Sequence, residues 1–237
     1  MISRMYKDVK TWNPIVGCRF NCIYCKPSFQ RQAKRRRKWC ELCYKYIPHF
    51  HPERLDRVPK AKTIFACAFG DIYFAKLEWL EKVIEVIRRH EDKTFFLQTK
   101  NPEVFIDMEM TMELPDNLIL GITLETNRDD MYTKYNISKA PTPFERYNTF
   151  RMVKHPRKFV TVEPILDFTK DLVYWIRDIK PEFVYVGYDT HNCRLPEPES
   201  EKTLELLRRL REFTEVREKE IRPAWWEIDN TIQTRLF

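Results

Sequence analysis

Three cysteines fall within eight residues near the start of the chain, in Cys18-Arg19-Phe20-Asn21-Cys22-Ile23-Tyr24-Cys25. Three residues separate the first two, and two separate the second from the third. Thiolates this close can all face one compact, soft object, and an iron–sulfur cluster is such an object. A four-iron cubane takes four thiolates. A loop that offers three leaves one iron open, and an open iron can bind and activate a small molecule. The competing reading is a zinc loop or buried free thiols. It fits less well, because structural zinc sites favour two separated pairs over a tight triplet.

A second pair follows in Trp39-Cys40-Glu41-Leu42-Cys43, with His49 and His51 just beyond. Cys40 and Cys43 are candidate ligands for a second metal, zinc among them. Both histidines joining the same ion would demand a cramped loop. We therefore expect other groups to complete the site, with His51 in a packing role. The alternatives are that one of these thiols approaches the iron–sulfur loop, or that both are reduced and packed as small hydrophobes. Cys67 sits inside an apolar run and reads as core.

Between the two cysteine groups lie Arg31, Lys34, Arg35, Arg36, Arg37 and Lys38, with no acid among them. Such a block can neutralise several phosphates at once, as nucleic-acid binding requires. It also suits a solvated helical face, or a positive collar around an anionic cluster.

The elements that must position these groups follow from the bulk pattern. The chain has 237 residues, 43% of them hydrophobic, and a formal charge of +7. That length suits one α/β barrel, and we expect one domain over 1–237. No apolar run reaches the ~18 residues of a membrane span, and none resembles a signal peptide. Seven cysteines, five of them in two tight groups, fit metal binding in a reducing compartment better than a disulfide framework. A soluble cytoplasmic protein without a membrane partner is the expectation.

Residues 1–11 read as a lead-in, and Trp12 to Val16 as a short strand feeding Gly17. Residues 26–60 read as a basic insertion. Apolar runs over Thr63 to Phe69, Thr94 to Thr99, Leu118 to Glu125, Lys158 to Val162 and Phe183 to Val186 read as further strands. Helical spacing marks Lys76 to His90, a stretch capped by Thr169, and one capped by Ser200 with Leu204, Leu207, Leu210 and Phe213 inward. Pro102 to Met112 and Phe144 to Val153 are weaker helices, and Arg128 to Ala140 reads as a loop. Residues 217–237 read as a tail. Alternating strands and helices imply parallel pairing, hence an α/β partial (β/α)6 TIM-type barrel with a basic, cysteine-containing insertion after the first loop. Ligands bind beyond the carboxyl ends of such strands, which directs attention to Gly70, Asp71, Lys100, Glu125, Asn127, Glu163 and Asp189.

Cys18, Cys22 and Cys25, with Tyr24 before the last, resemble the signature of the radical SAM superfamily. The wider Thr11 to Cys25 stretch and His51 to Leu55 resemble a phage-associated branch near spore photoproduct lyases. The resemblance implies a 4Fe–4S cluster on the three cysteines, with S-adenosylmethionine on the open iron. An electron donor then drives cleavage to a 5′-deoxyadenosyl radical. It also implies site roles. Tyr24 packs on adenine, Ala68, Gly70 and Asp71 receive the cofactor amino group, and Lys100 meets a carboxylate or phosphate. Glu125 and Asn127 contact ribose, and Glu163 lies near adenine and the sulfonium. A thiol at Cys193 can return a hydrogen atom to a substrate radical. The expected activity is modification or repair of a nucleic acid or nucleotide. Two alternatives stay open: a non-catalytic iron–sulfur or zinc protein that binds nucleic acid, and a radical enzyme acting on a protein.

Overall fold

The structure is a computed structural model that describes residues 8–234. The outer ends of the expected lead-in and tail, 1–7 and 235–237, lie outside the described residues. Strand β1 (Val9–Trp12) opens the main sheet, earlier than the apolar run implied. An excursion follows. It holds β2 (Ile15–Val16), α1 (Arg31–Lys34), α2 (Glu41–Lys45) and β3 (His49–Phe50), and β2 pairs antiparallel with β3. The expected single strand from Trp12 to Val16 is thus split between two sheets. Asn13-Pro14 interrupts it, since proline cannot donate to a ladder.

The chain then alternates regularly. β4 (Thr63–Ala66) leads to α3 (Leu77–Arg88), β5 (Thr94–Thr99) to α4 (Glu103–Thr111), and β6 (Leu118–Thr123) to α5 (Asp129–Lys134) and α6 (Pro143–Met152). β7 (Lys158–Val162) leads to α7 (Leu172–Ile179), and β8 (Phe183–Val186) to α8 (Ser200–Leu210). β9 (Glu215–Glu218) and α9 (Trp225–Thr234) complete the described chain. Seven strands pair in the order β1-β4-β5-β6-β7-β8-β9, every pair parallel. Spatial order follows chain order without reversal. A doubly wound sheet reverses at a switch point. A sheet wound one way carries its helices on one face and curls, which makes this a partial TIM-type barrel.

Side-chain alternation along the strands builds the two faces. Ile64, Phe95, Leu97, Leu120, Val160 and Val184 pack outward with Leu80, Ile84, Phe105, Ile176 and Leu207 of the helices. Phe65, Phe96, Ile119, Phe159, Phe183 and Tyr185 form a separate aromatic cluster on the concave face. Gly121 belongs to that face. A Cβ there would lie 2.1 Å from the Phe159 ring, so the glycine makes room for it.

Four local expectations change. Glu215–Glu218 is a seventh strand, although its single apolar residue gives no strand signal; it pairs along β8 at the sheet edge. Arg128 to Ala140 contains α5, which buries Met131 and Tyr132. In α8 the buried residues are Thr203, Leu206, Leu207 and Leu210, and Leu204 is 56% exposed, so the inward stripe is rotated from the expected one. Glu199 and Asp171 hold the N-cap positions of α8 and α7 in place of Ser200 and Thr169. Among the described residues, no helix is long and apolar enough to cross a membrane.

Candidate active site

Parallel strands send all their carboxyl ends to one rim. Gly70, Lys100, Glu125, Glu163 and Asp189 follow their strands onto it, and Gly17, which follows β2 of the small sheet, is bridged to Gly70. The cysteine loop is sewn to this rim by backbone. Gly17 N–H donates to Phe69 O at 3.0 Å, and Asp71 N–H donates to Gly17 O at 3.1 Å. The approach is close enough to require glycine on both sides. Gly17 has φ +99°, and a Cβ on Gly70 would sit 2.7 Å from Gly17 O.

A second segment clasps the loop from the other side. Ile23 N–H donates to Ile137 O at 3.0 Å, and Lys139 N–H donates to Phe20 O at 2.7 Å. Ser138 Oγ lies 3.1 Å from Cys22 Sγ. Tyr46 backbone carbonyl accepts from Cys18 N–H at 3.2 Å, and its phenol is buried where Cys25 and Cys18 raise its pKa further. Ser138 and Tyr46 carried no recognisable signal in the sequence, because each meets the loop across a long stretch of chain.

The three thiols sense one another. Hydrogen bonding from the Cys25 thiol lowers Cys22 against the effect of burial, and the Lys100 charge and Ser138 add to it, giving about 6. Cys25, the donor in that bond, is raised correspondingly. Burial raises Cys18, with the Asp71 and Cys22 charges adding. Lys100 favours the thiolate at all three positions. A metal or cluster binds thiolates. Three neighbouring cysteines whose thiolate forms are all favoured by the charge of buried Lys100 fit an anionic iron–sulfur cluster.

Behind Lys100 stands a buried charge network. Glu125 is wholly enclosed. Its Oε1 accepts from Lys100 Nζ at 2.7 Å, from Tyr132 OH at 3.3 Å, and from the Tyr24 hydroxyl. Its Oε2 accepts from Arg146 Nη1 at 2.8 Å. Burial alone would raise this carboxyl. The Arg146 and Lys100 charges, with the Lys100 and Tyr24 hydrogen bonds, outweigh burial and hold it at about 2. Arg146 is fully buried too, and its Nε and Nη2 have no hydrogen-bond partner. Its guanidinium lies 4.9 Å from the Tyr132 ring centroid, so the ring face receives part of its charge. Arg146 carries no signal in the sequence, where it is one arginine in an ordinary helical stretch.

The remaining site residues fall on the same rim with definite partners. Asp71 accepts from Thr99 Oγ1 at 2.6 Å and from Lys100 N–H at 2.9 Å, tying the ends of β4 and β5 together. Burial raises its carboxyl. Ala68 packs against the concave aromatic cluster at the barrel mouth. Asn127 bonds Thr169 through both ends of its amide, at 2.6 and 2.8 Å. Glu163 pairs with Lys219. Cys193 packs with Tyr24 and Ile23 against Tyr132, Ile137, Leu166 and Leu195. Burial, then the Asp189 charge, pushes its thiol up to about 12, so it keeps its hydrogen. Exposed His191 donates its backbone N–H to Asp189.

Outside the rim, Cys40, Cys43, His49 and His51 place one ligand atom each within 4.8 Å of one another, a group able to hold a metal ion. Both histidines therefore join the cysteine pair, against the expectation that the loop would be too cramped. The turn at Tyr46, with φ +56°, brings His49 back over α2. The basic block precedes this group. Arg31, Lys34, Arg35, Arg37 and Lys38 are exposed and Arg36 is half-buried. Arg36 lies over Phe69 and Arg37 over Tyr44, while Trp39 stands 83% exposed beside them.

A protein-family model matches residues 4–190, most of the chain. The chain belongs to the family described as a protein of unknown function, DUF5131. No curated protein matches this DUF5131 sequence. Among solved structures, it is similar to a spore photoproduct lyase mutant with bound AdoMet and dinucleoside spore photoproduct. The TM-score is 0.61 at 16% sequence identity, over 87% of this chain and 75% of that one. That likeness is one of fold.

Proposed function

We propose that this DUF5131 chain is a radical SAM enzyme acting on a nucleic acid or nucleotide. One observation carries the reading: a three-thiol loop is stitched by a glycine pair onto the carboxyl rim of a partial barrel. The spore photoproduct lyase of similar fold binds AdoMet, which supports the same cofactor here. Cys18, Cys22 and Cys25 would hold the 4Fe–4S cluster. When bound and reduced by an external electron donor, the cluster would supply the one electron that splits AdoMet into methionine and a 5′-deoxyadenosyl radical.

The protein's own groups hold, orient and shield. Lys100 offsets thiolate charge and is held in place by Glu125. Main-chain carbonyls near Ala68 and Gly70 would offer acceptors for the AdoMet amino group, with Asp71 fixing their loop. A ribose at Glu125 would exchange with Tyr24 or Lys100 at Oε1, because both oxygens already accept hydrogen bonds. Asn127 and Glu163 border the adenosine side, each likewise holding a partner that it would share. Tyr24 screens the loop with its ring. The aromatic concave face keeps water from a reactive carbon radical. Cys193, a protonated thiol packed on the same buried cluster as Tyr24, is suited to hydrogen-atom return.

Two features favour a nucleic-acid substrate: the exposed basic block from Arg31 to Lys38, and Trp39 beside it as a stacking surface. Anaerobic reconstitution with iron, sulfide and a reductant, followed by assay for 5′-deoxyadenosine, tests the reading. The wild-type protein should form it and Cys22→Ala should not. Equal yield from both removes the proposal.

A further inference from the structure

We propose that Cys40, Cys43, His49 and His51 form a tetrahedral zinc site, separate from the iron site, that clamps the strand on which the cysteine loop is built.

The first argument is geometric. Zinc with sulfur at ~2.3 Å and nitrogen at ~2.0–2.1 Å puts tetrahedral sulfur and nitrogen ligands ~3.6 Å apart. Cys40 Sγ lies 3.3 and 3.9 Å from the Nε2 atoms of His49 and His51, and Cys43 Sγ lies 3.4 and 3.2 Å from them. These four sulfur–nitrogen separations bracket the zinc value, while the two Nε2 atoms, 2.7 Å apart, stand inside the ~3.3 Å of an ideal tetrahedron. The soft-plus-borderline donor set, two thiols and two imidazoles, is one that zinc favours.

The second argument concerns where the hydrogens must be. His49 Nδ1 lies 2.7 Å from the Ile47 carbonyl oxygen, and His51 Nδ1 lies 2.8 Å from Glu53 Oε1. Both of those oxygens accept, so each Nδ1 carries the hydrogen. In a neutral imidazole the other nitrogen is then bare. Two bare Nε2 atoms face each other at 2.7 Å, with two sulfurs alongside. Lone pairs at that distance repel unless a cation lies between them. The carbonyl and carboxylate on the outer nitrogens are the partners that metal-bound histidines use to fix their orientation.

The position gives the ion its role. His49 pairs with Val16, and Phe50 pairs with Ile15, directly before the cysteine loop. His51 N–H donates to Pro14 O at 2.7 Å. The Ile47 carbonyl lies where a Cβ on Gly17 would stand, 2.3 Å from that point. On the other side, Cys40 N–H donates to Arg36 O at 3.0 Å, so the same ion also anchors the basic block. With no ion, α2 and β3 rest on a five-residue helix and a two-residue strand, both too short to hold alone.

Metal analysis and zinc-edge X-ray absorption of the full chain test this. Wild type should carry about one zinc per chain with a two-sulfur, two-nitrogen shell. Cys43→Ala and His49→Ala should each lose it. Cys22→Ala should lose iron and keep zinc, so failure of the iron reading leaves this result untouched. Stripping zinc should speed proteolysis within 26–60 by roughly tenfold or more, since folding of such loops is coupled to the metal. Cobalt added to stripped protein should give the intense visible bands of a tetrahedral thiolate site, a readout independent of variant folding. Zinc absent from wild type, a four-sulfur shell, zinc lost from Cys22→Ala, no tetrahedral cobalt spectrum, or unchanged proteolysis on stripping would each overturn the proposal.

Discussion

Replacing Glu125 by glutamine tests the buried network that supports Lys100. The side chain keeps its shape and one acceptor but loses its charge. Arg146, fully buried, then has no counter-ion, and Lys100, 9% exposed, loses its partner. Removing one member of a buried ion pair costs about 3–5 kcal/mol. The carboxyl itself gives a second route to the magnitude. It is held at about 2, against ~4.3 for a free glutamate, which is about 3 kcal/mol at neutral pH. The two routes agree in order of magnitude. Denaturant unfolding of wild type and Glu125→Gln at pH 7 should therefore differ by about 3 kcal/mol. The sign with pH follows from a depressed folded-state value. The advantage of wild type is fully present above the unfolded value near ~4.3, and it fades as pH falls toward the folded value. The gap between the two proteins should thus close between about pH 4 and pH 2. Adding Arg146→Met to Glu125→Gln should recover part of the loss, because the uncompensated cation is gone. A gap below about 1 kcal/mol, or one independent of pH in that window, would refute the reasoning.

Other outcomes follow from single contacts. Gly70→Ala pushes a Cβ to 2.7 Å from Gly17 O, a backbone atom that cannot step aside. It should lower stability by about 1–3 kcal/mol and reduce iron retained after reconstitution; normal stability and iron would contradict the stitched-loop account. Replacing Arg35, Arg36 and Arg37 together by alanine should weaken nucleic-acid binding and flatten its salt dependence by about one unit of slope per lost phosphate contact, and an unchanged slope would exclude these residues from the interface. Cys193→Ala should leave uncoupled AdoMet cleavage within about twofold of wild type, since a hydrogen-returning thiol acts after that step; loss of cleavage would give it another role.

Much of this was readable from residue order because the informative signals were local. The tight cysteine triplet, the apolar strand runs and the polar residues closing them lie within a few positions of one another. What escaped depends on contacts across the chain. β9 is a strand because β8 offers a free edge, although Glu215 and Glu218 give it no apolar pattern. Ser138 meets Cys22 across 116 residues, and Arg146 meets Glu125 only after α6 folds back on the sheet. Loop strain is the reason to expect His49 and His51 apart from Cys40 and Cys43. The left-handed turn at Tyr46 relieves that strain, and a non-glycine residue gives no warning of it. Leucines at 204, 206, 207 and 210 admit two phases for the inward stripe of α8, and packing selects one.

The central claim is that the sulfurs of Cys18, Cys22 and Cys25 leave one iron free for AdoMet. Electron paramagnetic resonance of the reduced, reconstituted protein, recorded before and after AdoMet is added, tests it most directly. The account predicts four irons per chain on these cysteines and a cluster signal that changes when AdoMet binds. A signal indifferent to AdoMet, in protein with its iron fully loaded, would contradict it.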